Sequence, residues 1–297
     1  MRLDSEAIKK YRKAGRIARK ALEKAKEACE EGEKYLDVAE EADNFIWDKG
    51  AKPAFPTNIS VNSVGAHYTP SEDDESRFEK GDIVKIDVGC HLDGYIADNA
   101  ATVEIGTNRH GSLIKASEEA LGIAIRSIRP GIRTKEIGKN IERAIQDRGF
   151  NPISNLTGHE VERYVLHTGT SIPNVPKGWT KIKKGMVLAI EPFATDGEGR
   201  VEEGDPGDIY KLQKQRDLDG EDLEFYKWIE DNFDHLPFAA RWCKEYGDGY
   251  KELLKRQKRF GTVMNYPVLS EKKDGLISQR EHTVIVTSNG CKATTRL

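Results

Sequence analysis

Two aspartates eleven residues apart are the first side chains in this 297-residue chain whose placement suggests chemistry. Asp87 and Asp98 lie in segments where apolar and polar residues alternate, which is typical of half-buried strands. Asp93-Gly94 lies between them and is a strong signal for a two-residue hairpin turn. Two carboxylates held close together repel each other unless a cation lies between them. The pair therefore predicts either a metal site or two acids that face water.

The register of this hairpin determines whether the two side chains meet. If Leu92 pairs with Tyr95, Asp87 lies opposite Ala100, and Asp98 is its diagonal neighbour on the same face. The two side chains then begin roughly 7–8 Å apart. Two divalent cations about 3.5–4 Å apart would fit such a pair of carboxylates. The alternative is a hairpin whose two acids lie on its solvent-exposed face. The pair alone does not distinguish this arrangement from a metal site.

Three further side chains at or near predicted strands could complete a metal site. His159 follows a Thr-Gly pair and Glu191 ends an apolar run. Glu281 lies on a final strand predicted from Gln279 to Val286 and faces away from its neighbour His282. A carboxylate at the end of an apolar strand needs a cation or several hydrogen-bond donors, and an arginine would serve equally well. Four carboxylates with one imidazole suit Mn²⁺, Fe²⁺, Co²⁺ or Zn²⁺ rather than a thiolate-rich structural zinc. Two such ions would activate a water for hydrolysis.

The composition limits the classes of protein to which the chain can belong. It is 37% hydrophobic and 33% charged, with a formal net charge of -3, which argues against a protein that coats nucleic acid but allows a local basic patch. The four cysteines are scattered, so zinc-knuckle and thioredoxin-like motifs are excluded. The N-terminus has no apolar signal segment, and nowhere do about 18 apolar residues run together. We expect a cytoplasmic protein that makes no membrane contact.

The apolar spacing predicts helices that alternate in pairs with strands. One helix has Ser5 as its predicted N-cap and stops by Gly32, and a second ends at Gly50. Two more are predicted over residues 113–128 and from Thr134 to Gly149. This order is typical of an α+β or α/β domain in which helices cover one side of a curved sheet. Residues 208–260 are richer in charge and are predicted to form a helical insertion.

Together these motifs resemble the methionine aminopeptidases, and among them the type 2 enzymes. The chain has no long charged N-terminal extension, so it is similar to the archaeal form. The resemblance covers nearly the whole chain. It is carried by both aspartate motifs, the histidine and glutamate motifs and the segment within the insertion: Ile86-Asp87-Val88-Gly89, Ala97-Asp98-Asn99-Ala100, Ala66-His67-Tyr68-Thr69-Pro70, Gly158-His159, Ile190-Glu191-Pro192-Phe193, Gln279-Arg280-Glu281-His282-Thr283 and Leu236-Pro237-Phe238-Ala239-Ala240-Arg241-Trp242.

The resemblance implies an α+β pita-bread fold, in which two pseudo-symmetric halves surround a curved antiparallel sheet covered by helices. It implies one catalytic domain over residues 1–297, with a type 2 helical insertion at residues 208–262. The implied activity is removal of the N-terminal initiator methionine from nascent proteins, with a preference for a small second residue. The enzyme would be a monomer that acts on peptides and nascent chains. A ribosome contact through the insertion or residues 177–184 is a further expectation.

The resemblance also implies a role for each site residue. Asp87 would bind one of two divalent ions (Co, Mn, Fe or Zn), Asp98 and Glu281 would bridge both, and His159 with Glu191 would complete the other. A hydroxide that bridges the ions would attack, and Glu191 would help to move its proton. His67 and His167 would hydrogen-bond the scissile peptide and the tetrahedral intermediate. The methionine pocket would be lined by Phe55, His67, Leu166, His167, Ile209 and Tyr266.

Two positions depart from the type 2 pattern, and two rival functions remain. Arg280 stands where the pattern usually has Phe, and Ile209 where it often has His. A prolidase or Xaa-Pro aminopeptidase uses a similar five-ligand site, but the insertion and the lack of a creatinase-like N-terminal domain weigh against it. A non-catalytic relative that binds RNA, chaperones or ribosomes would have lost ligands that are all present in this chain.

Overall fold

The secondary structure is seen in a computed structural model that describes residues 3–214 and 216–296. Residues 1, 2, 215 and 297 of the predicted domain ranges lie outside the described residues. The helices are α1 Ser5–Ala28, α2 Tyr35–Asp48, α3 Gly111–Ser127, α4 Thr134–Gln146, α5 Gly220–Phe233 and α6 Tyr250–Phe260, with a 3-10 helix at Ala240–Tyr246. The strands are β1 Lys52–Pro53, β2 Asn58–Val61, β3 Val64–Ala66, β4 Ile83–Leu92, β5 Tyr95–Glu104, β6 Asn151–Pro152, β7 Thr157–Val161, β8 Ser171–Pro173, β9 Val187–Ile190, β10 Phe193–Thr195, β11 Val201–Leu212, β12 Phe238–Ala239, β13 Val263–Glu271, β14 Ile277–Gln279, β15 His282–Val286 and β16 Cys291–Ala293.

The hairpin β4–β5 forms the centre of the first half, and its predicted register is confirmed. Leu92 pairs with Tyr95 and Asp87 with Ala100, so Asp98 is the diagonal neighbour of Asp87. The turn residues Asp93 and Gly94 have φ angles of 51° and 83°, the left-handed region that a tight two-residue hairpin turn requires. Helices α1 and α2 pack their apolar faces against this hairpin.

The N-cap of helix α1 is one residue earlier than predicted. The Asp4 side chain accepts a 2.7 Å hydrogen bond from the Ala7 backbone N–H, so Asp4 is the N-cap and Ser5 is the first helical residue. The prediction of Ser5 as the cap was therefore wrong by one position. The helix ends at Ala28, before the predicted stop at Gly32.

The second half is a five-stranded sheet of order β16-β15-β9-β7-β8, on which α3 and α4 pack. All strand pairings in the described part of the chain are antiparallel, as the pita-bread fold requires. The predicted final strand from Gln279 to Val286 is instead two strands. Gln279 ends β14, which pairs with β10, whereas His282 begins β15, which pairs with β9. Glu281 lies at the crossing between them.

Hydrogen bonds across this crossing join the two halves. The Glu281 N–H donates to the Ala100 carbonyl at 3.0 Å. The Thr283 hydroxyl accepts from the Asp98 N–H at 2.7 Å and donates to the Asp98 carbonyl at 2.8 Å. These bonds hold strand β5 of the first half beside the crossing of the second half. Two acids that are far apart in sequence, Asp98 and Glu281, are thereby brought to the same place.

The segment predicted as an insertion contains α5, the 3-10 helix and α6, which lie against the sheet β12-β11-β13-β3. Its apolar residues, including Phe225, Ile229, Phe238 and Leu254, form a cluster of their own. This separate cluster supports our proposal that residues 208–262 are an inserted helical subdomain of a single catalytic domain. Within the described ranges, no helix combines the length and apolarity needed to cross a membrane.

A buried ion pair attaches the insertion to the first half. Arg241 Nη2 lies 2.6 Å from Asp43 Oδ2 on α2, and Arg241 Nη1 donates to the Thr69 hydroxyl and the Pro70 carbonyl, both at 2.8 Å. Asp43 Oδ1 also accepts from the N–H and hydroxyl of Thr57. Burial raises the pKa of Asp43, and the Arg241 charge opposes that rise. The carboxylate thus depends on the guanidinium for its charge balance.

We predict that Arg241→Met lowers the free energy of unfolding by about 3–5 kcal/mol, because it leaves Asp43 buried without a counter-charge. Adding Asp43→Asn should recover part of the loss, since Asn keeps an acceptor for Thr57. Lys244→Met is the control: it removes an exposed 3.2 Å pair with Glu72 from the same 3-10 helix and should cost less than about 1 kcal/mol. Urea denaturation measures all four proteins, and equal losses for Arg241→Met and Lys244→Met would contradict the prediction.

Candidate metal centre

The five side chains predicted as metal ligands all line one cavity of about 670 Å³. Asp87 projects from β4 and Asp98 from β5, while His159 comes from β7. Glu191 immediately follows β9, and Glu281 immediately precedes β15. The strand pattern places each of them because alternate residues of a strand face the same side. Two separate sheets therefore contribute to one site.

The ligand atoms lie close enough to share metal ions. His159 Nε2 is 3.6 Å from Asp98 Oδ2 and 3.5 Å from Glu191 Oε1. One ligand atom each from Asp98, His159 and Glu281 lies within 4.8 Å of the others. These separations leave room for a cation between the atoms, since divalent ions bind such ligands at about 2.0–2.2 Å.

Several of these atoms are buried without a hydrogen-bond partner in the part of the chain that the structure describes: Asp87 Oδ1, Asp98 Oδ1, His159 Nδ1 and Glu281 Oε1. A buried polar atom without a partner costs about 1–3 kcal/mol, and more when it is charged. Three buried carboxylate oxygens without a partner in one cavity would strongly destabilise the protein. A divalent cation bound between them would give all three a partner, so the residues fit a metal centre.

The electrostatics of the cluster lead to the same conclusion. Burial raises the pKa of Asp87 to about 7, against the smaller opposing effects of Gln279 and Asp98. Burial, followed by the charges of neighbouring carboxylates, also raises the pKa values of Asp98, Glu191 and Glu281 well above their usual range. Without a cation the cluster must therefore keep protons at neutral pH. A bound divalent ion would displace them.

Two more predicted residues, His67 and His167, lie on the wall of the same cavity. The His167 ring centre is 4.2 Å from that of His159, and burial lowers the pKa of His167 to about 4. His67 has a φ angle of 66°, a left-handed conformation that costs energy in a non-glycine residue. Burial also lowers the pKa of His67. Both rings are therefore neutral at pH 7 and can exchange hydrogen bonds without adding charge.

The backbone conformation of His67 fixes its ring between two neighbours. Its Nδ1 lies 3.3 Å from the Pro267 carbonyl oxygen, and its ring centre is 5.1 Å from that of Tyr266. When Nδ1 carries the proton and donates it to Pro267, Nε2 is a hydrogen-bond acceptor. In this tautomer His67 could accept a bond from a peptide N–H. The strained backbone therefore places a polar ring beside the apolar wall.

The predicted pocket residues Phe55, Leu166, Ile209 and Tyr266 also line the cavity. The Phe55 ring lies so close to Gly89 that a Cβ at residue 89 would be 2.1 Å from it. Glycine at this point of β4 is thus required for the ring to reach the cavity. Six lining residues were not predicted as site residues, namely Asn58, Ala66, Leu156, Thr157, Phe193 and Pro237.

One residue close to the ligands was missed by the sequence interpretation. Gln279 is buried, and its Nε2 lies 3.5 Å from Asp87 Oδ2 and 3.4 Å from Glu281 Oε2. It precedes Glu281 by two residues, so the period of two along an extended chain could have identified it.

Pro237 is a residue of the insertion that lines the cavity. Its position in the quoted insertion motif is the only sequence signal for this placement.

Comparison with known proteins identifies the family to which this site belongs. The model of metallopeptidase family M24 matches residues 9–288. A methionine aminopeptidase of Archaeoglobus fulgidus is 46% identical over 99% of this chain and 100% of its own length. That of Methanocaldococcus jannaschii is 43% identical over 99% of this chain and 100% of its own length. A crystal structure of methionine aminopeptidase from Thermotoga maritima has a TM-score of 0.74 at 25% identity, and covers 100% of this chain and 99% of that one. The chain belongs to metallopeptidase family M24 and, within it, to the methionine aminopeptidases, and is thus a metal-dependent exopeptidase.

Proposed function

We propose that this enzyme removes the initiator methionine from nascent proteins and uses two divalent ions to do so. The observation that carries the proposal is the buried cluster of Asp87, Asp98, His159, Glu191 and Glu281 at an apolar cavity. The names of the most similar relatives support the substrate, and they weigh against a prolidase or Xaa-Pro aminopeptidase. The full ligand set weighs against a non-catalytic relative. The preference for a small second residue rests on the resemblance to the family.

Each ligand has a proposed place in the site. Asp87 would hold one ion, Asp98 and Glu281 would bridge, and His159 with Glu191 would hold the other. Hard carboxylate oxygens with one imidazole suit Co²⁺, Mn²⁺, Fe²⁺ or Zn²⁺. When bound, two such ions would supply the nucleophile by lowering the pKa of a water shared between them.

The protein's own groups would carry the remaining steps. Burial raises the pKa of Glu191 and so makes its carboxylate more basic; once metal binding has ionised it, it would take the proton of the nucleophile and pass it toward the leaving amine. His67 and His167 would hydrogen-bond the scissile peptide group and the tetrahedral intermediate. Both stay neutral at pH 7, so they would stabilise developing charge without repelling the metal ions.

The apolar wall would select the methionine side chain. Phe55, Leu166, Ile209 and Tyr266 offer a surface without strong hydrogen-bond donors, apart from the tyrosine hydroxyl. A thioether is apolar and a weak acceptor, so burial against such a wall favours it over charged or amide side chains of similar length. The unbranched chain of methionine also suits a pocket whose walls are bulky.

We further propose that the enzyme works as a cytoplasmic monomer close to the ribosome. Support comes from two segments, residues 126–139 and 171–184, which are joined by the bridge between Arg133 and Lys181. They contain one acid and nine exposed basic residues: Arg126, Arg129, Arg133, Lys135, Lys139, Lys177, Lys181, Lys183 and Lys184. Trp179, with 69% of its surface exposed, lies among them. Such a local basic face suits ribosomal RNA despite the net charge of -3.

The substrate prediction is tested with two peptides. The purified protein with added Co²⁺ or Mn²⁺ should release methionine from Met-Ala-Ser and leave Ala-Pro intact, as measured by quantifying free amino acids. A chelator should abolish the release, and metal should restore it. Cleavage of the Ala-Pro peptide alone would refute the assignment.

The metal ligands are tested by substitution. Glu281→Ala and Glu281→Gln should lower kcat by at least about a hundredfold, because a bridging ligand is lost. Both should bind less than two metal ions per chain by elemental analysis, while thermal unfolding stays cooperative. Glu203→Gln, an exposed acid on β11, is the control and should keep full activity and metal content. Full turnover by Glu281→Ala would disprove the dinuclear site.

The raised carboxylate pKa values predict that metal binding is coupled to proton release. The metal-free cluster holds protons near neutral pH, so apparent metal affinity should rise as pH increases from about 6 to about 8. Calorimetric titration of the metal-free protein in buffers of different ionisation enthalpy counts the protons released per ion. A titration that releases none at pH 6.5 would show that the carboxylates are already ionised.

A further inference from the structure

A second cavity lies on the reverse face of the strands that carry the metal ligands. Asn99 follows Asp98, while Arg280 and His282 precede and follow Glu281, so the alternation of extended chain turns them away from the metal centre. All three line a cavity of about 630 Å³. Helix α1 and the C-terminal segment provide the rest of the wall, and the lining residues within the described ranges are Arg19, Leu22, Glu23, Asn99, Arg280, His282, Thr295 and Arg296.

The charges in this cavity are predominantly positive and largely uncompensated. Arg19 and Arg296 have no carboxylate within 4.0 Å among the described residues, and Arg280 reaches only Glu118 at 4.0 Å. Glu23 is the one acid among the described lining residues, and its carboxylate lies 3.4 Å from the Lys26 ammonium. In the part of the chain that the structure describes, three arginines thus line this space together with a single carboxylate that another cation already engages.

The uncharged groups of the lining also suit a polar ligand. His282 Nδ1 lies 2.9 Å from the Thr295 hydroxyl oxygen, which fixes the ring. Asn99 is buried with its Nδ2 bonded to the Val88 carbonyl at 2.8 Å, and its Oδ1 has no partner among the described residues, so it could accept a bond only from a protonated group such as the hydroxyl of a hydrogen phosphate.

We infer that this cavity binds a small phosphate-type oxyanion. Guanidinium groups present planar pairs of N–H donors that match phosphate oxygens, and three of them would offset the charge of a dianion. Among the described residues, the lining holds no Phe, Tyr or Trp on which a nucleobase could stack, and Leu22 is the only large apolar side chain there. The ligand is therefore inorganic phosphate or the phosphate group of a small ester, rather than a nucleotide held by its base.

The binding of an anion in this cavity would be coupled to metal binding through the strands that separate the two sites. Arg280 and His282 are covalently adjacent to Glu281, and Asn99 is adjacent to Asp98. A ligand that fixes these residues on one face also restricts the acids on the other. By linkage, any effect of the anion on metal affinity must be matched by an equal effect of the metal on anion affinity. The inference goes beyond the proposed peptidase activity and does not depend on it.

The test is isothermal titration of the metal-loaded protein with inorganic phosphate and, separately, with glycerol phosphate, at constant ionic strength. Phosphate can also bind the metal ions. Binding in the second cavity is therefore measured as the difference in phosphate affinity between each arginine variant and the unsubstituted protein. Arg19→Ala and Arg296→Ala should each weaken the arginine-dependent binding by at least tenfold. Arg280→Phe, which restores the residue usual in the type 2 pattern, should do the same. Arg16→Ala is the control because Arg16 is exposed on the same helix and does not line the cavity.

Binding of inorganic phosphate alone would identify the free ion as the ligand, and tighter binding of glycerol phosphate would identify an ester. Arg19→Ala and Arg296→Ala should still unfold cooperatively and release methionine at the rate of the unsubstituted protein. The inference is overturned if phosphate binds equally to the unsubstituted protein, Arg19→Ala and Arg296→Ala, or does not bind at millimolar concentration. Arginine-dependent binding in a protein that releases no methionine would refute only the proposed peptidase activity.

Discussion

Four carboxylates buried in one cavity cannot all carry their charge unless cations lie among them. Asp87, Asp98, Glu191 and Glu281 each lose hydration on burial, and their mutual repulsion adds to that cost. The fold accepts this unfavourable arrangement at its centre, where five clusters of buried apolar residues in the described part of the chain and a cross-strand hydrogen-bond network hold the backbone in place. The free energy of unfolding and the affinity of the site for metal are therefore linked: the packed core offsets the cost of burying the acids, and metal binding adds to the stability of the folded state.

The acids are held in position by hydrogen bonds and packing of the backbone, and not by contacts between the acids themselves. The Thr283 hydroxyl exchanges two hydrogen bonds with the backbone of Asp98, and the Glu281 N–H bonds the Ala100 carbonyl. Glycine at residues 89 and 158 lets neighbouring groups approach more closely than a side chain would allow. None of these contacts uses a carboxylate oxygen of the acids, so none of them depends on whether the acids are charged.

The part of this arrangement that is local in sequence could be predicted, and the part that depends on distant contacts could not. The turn at Asp93-Gly94 fixes the hairpin register within a dozen residues, so the shared face of Asp87 and Asp98 follows from the chain itself. The break between Gln279 and His282 arises because the segment crosses from one sheet to another, where its partner is Ala100. The bond between Arg241 and Asp43 spans 198 residues and has no sequence period. The roles of the ligands came from the family resemblance, since spacing left their partners open.

The alternation of extended chain also explains why two cavities of opposite charge lie back to back. Each metal ligand on β5 and at the start of β15 has a sequence neighbour that faces the other side, and there the neighbours meet arginines of α1 and the C-terminal segment. Those arginines are not among the charges that shift the pKa values of Glu191 and Glu281, which burial and the neighbouring carboxylates raise. They therefore cannot replace the cations that the carboxylates require. Any effect of an anion in the second cavity on the metal centre would pass through the strand residues that separate the two cavities, and its size would depend on how far the anion restricts Arg280 and His282.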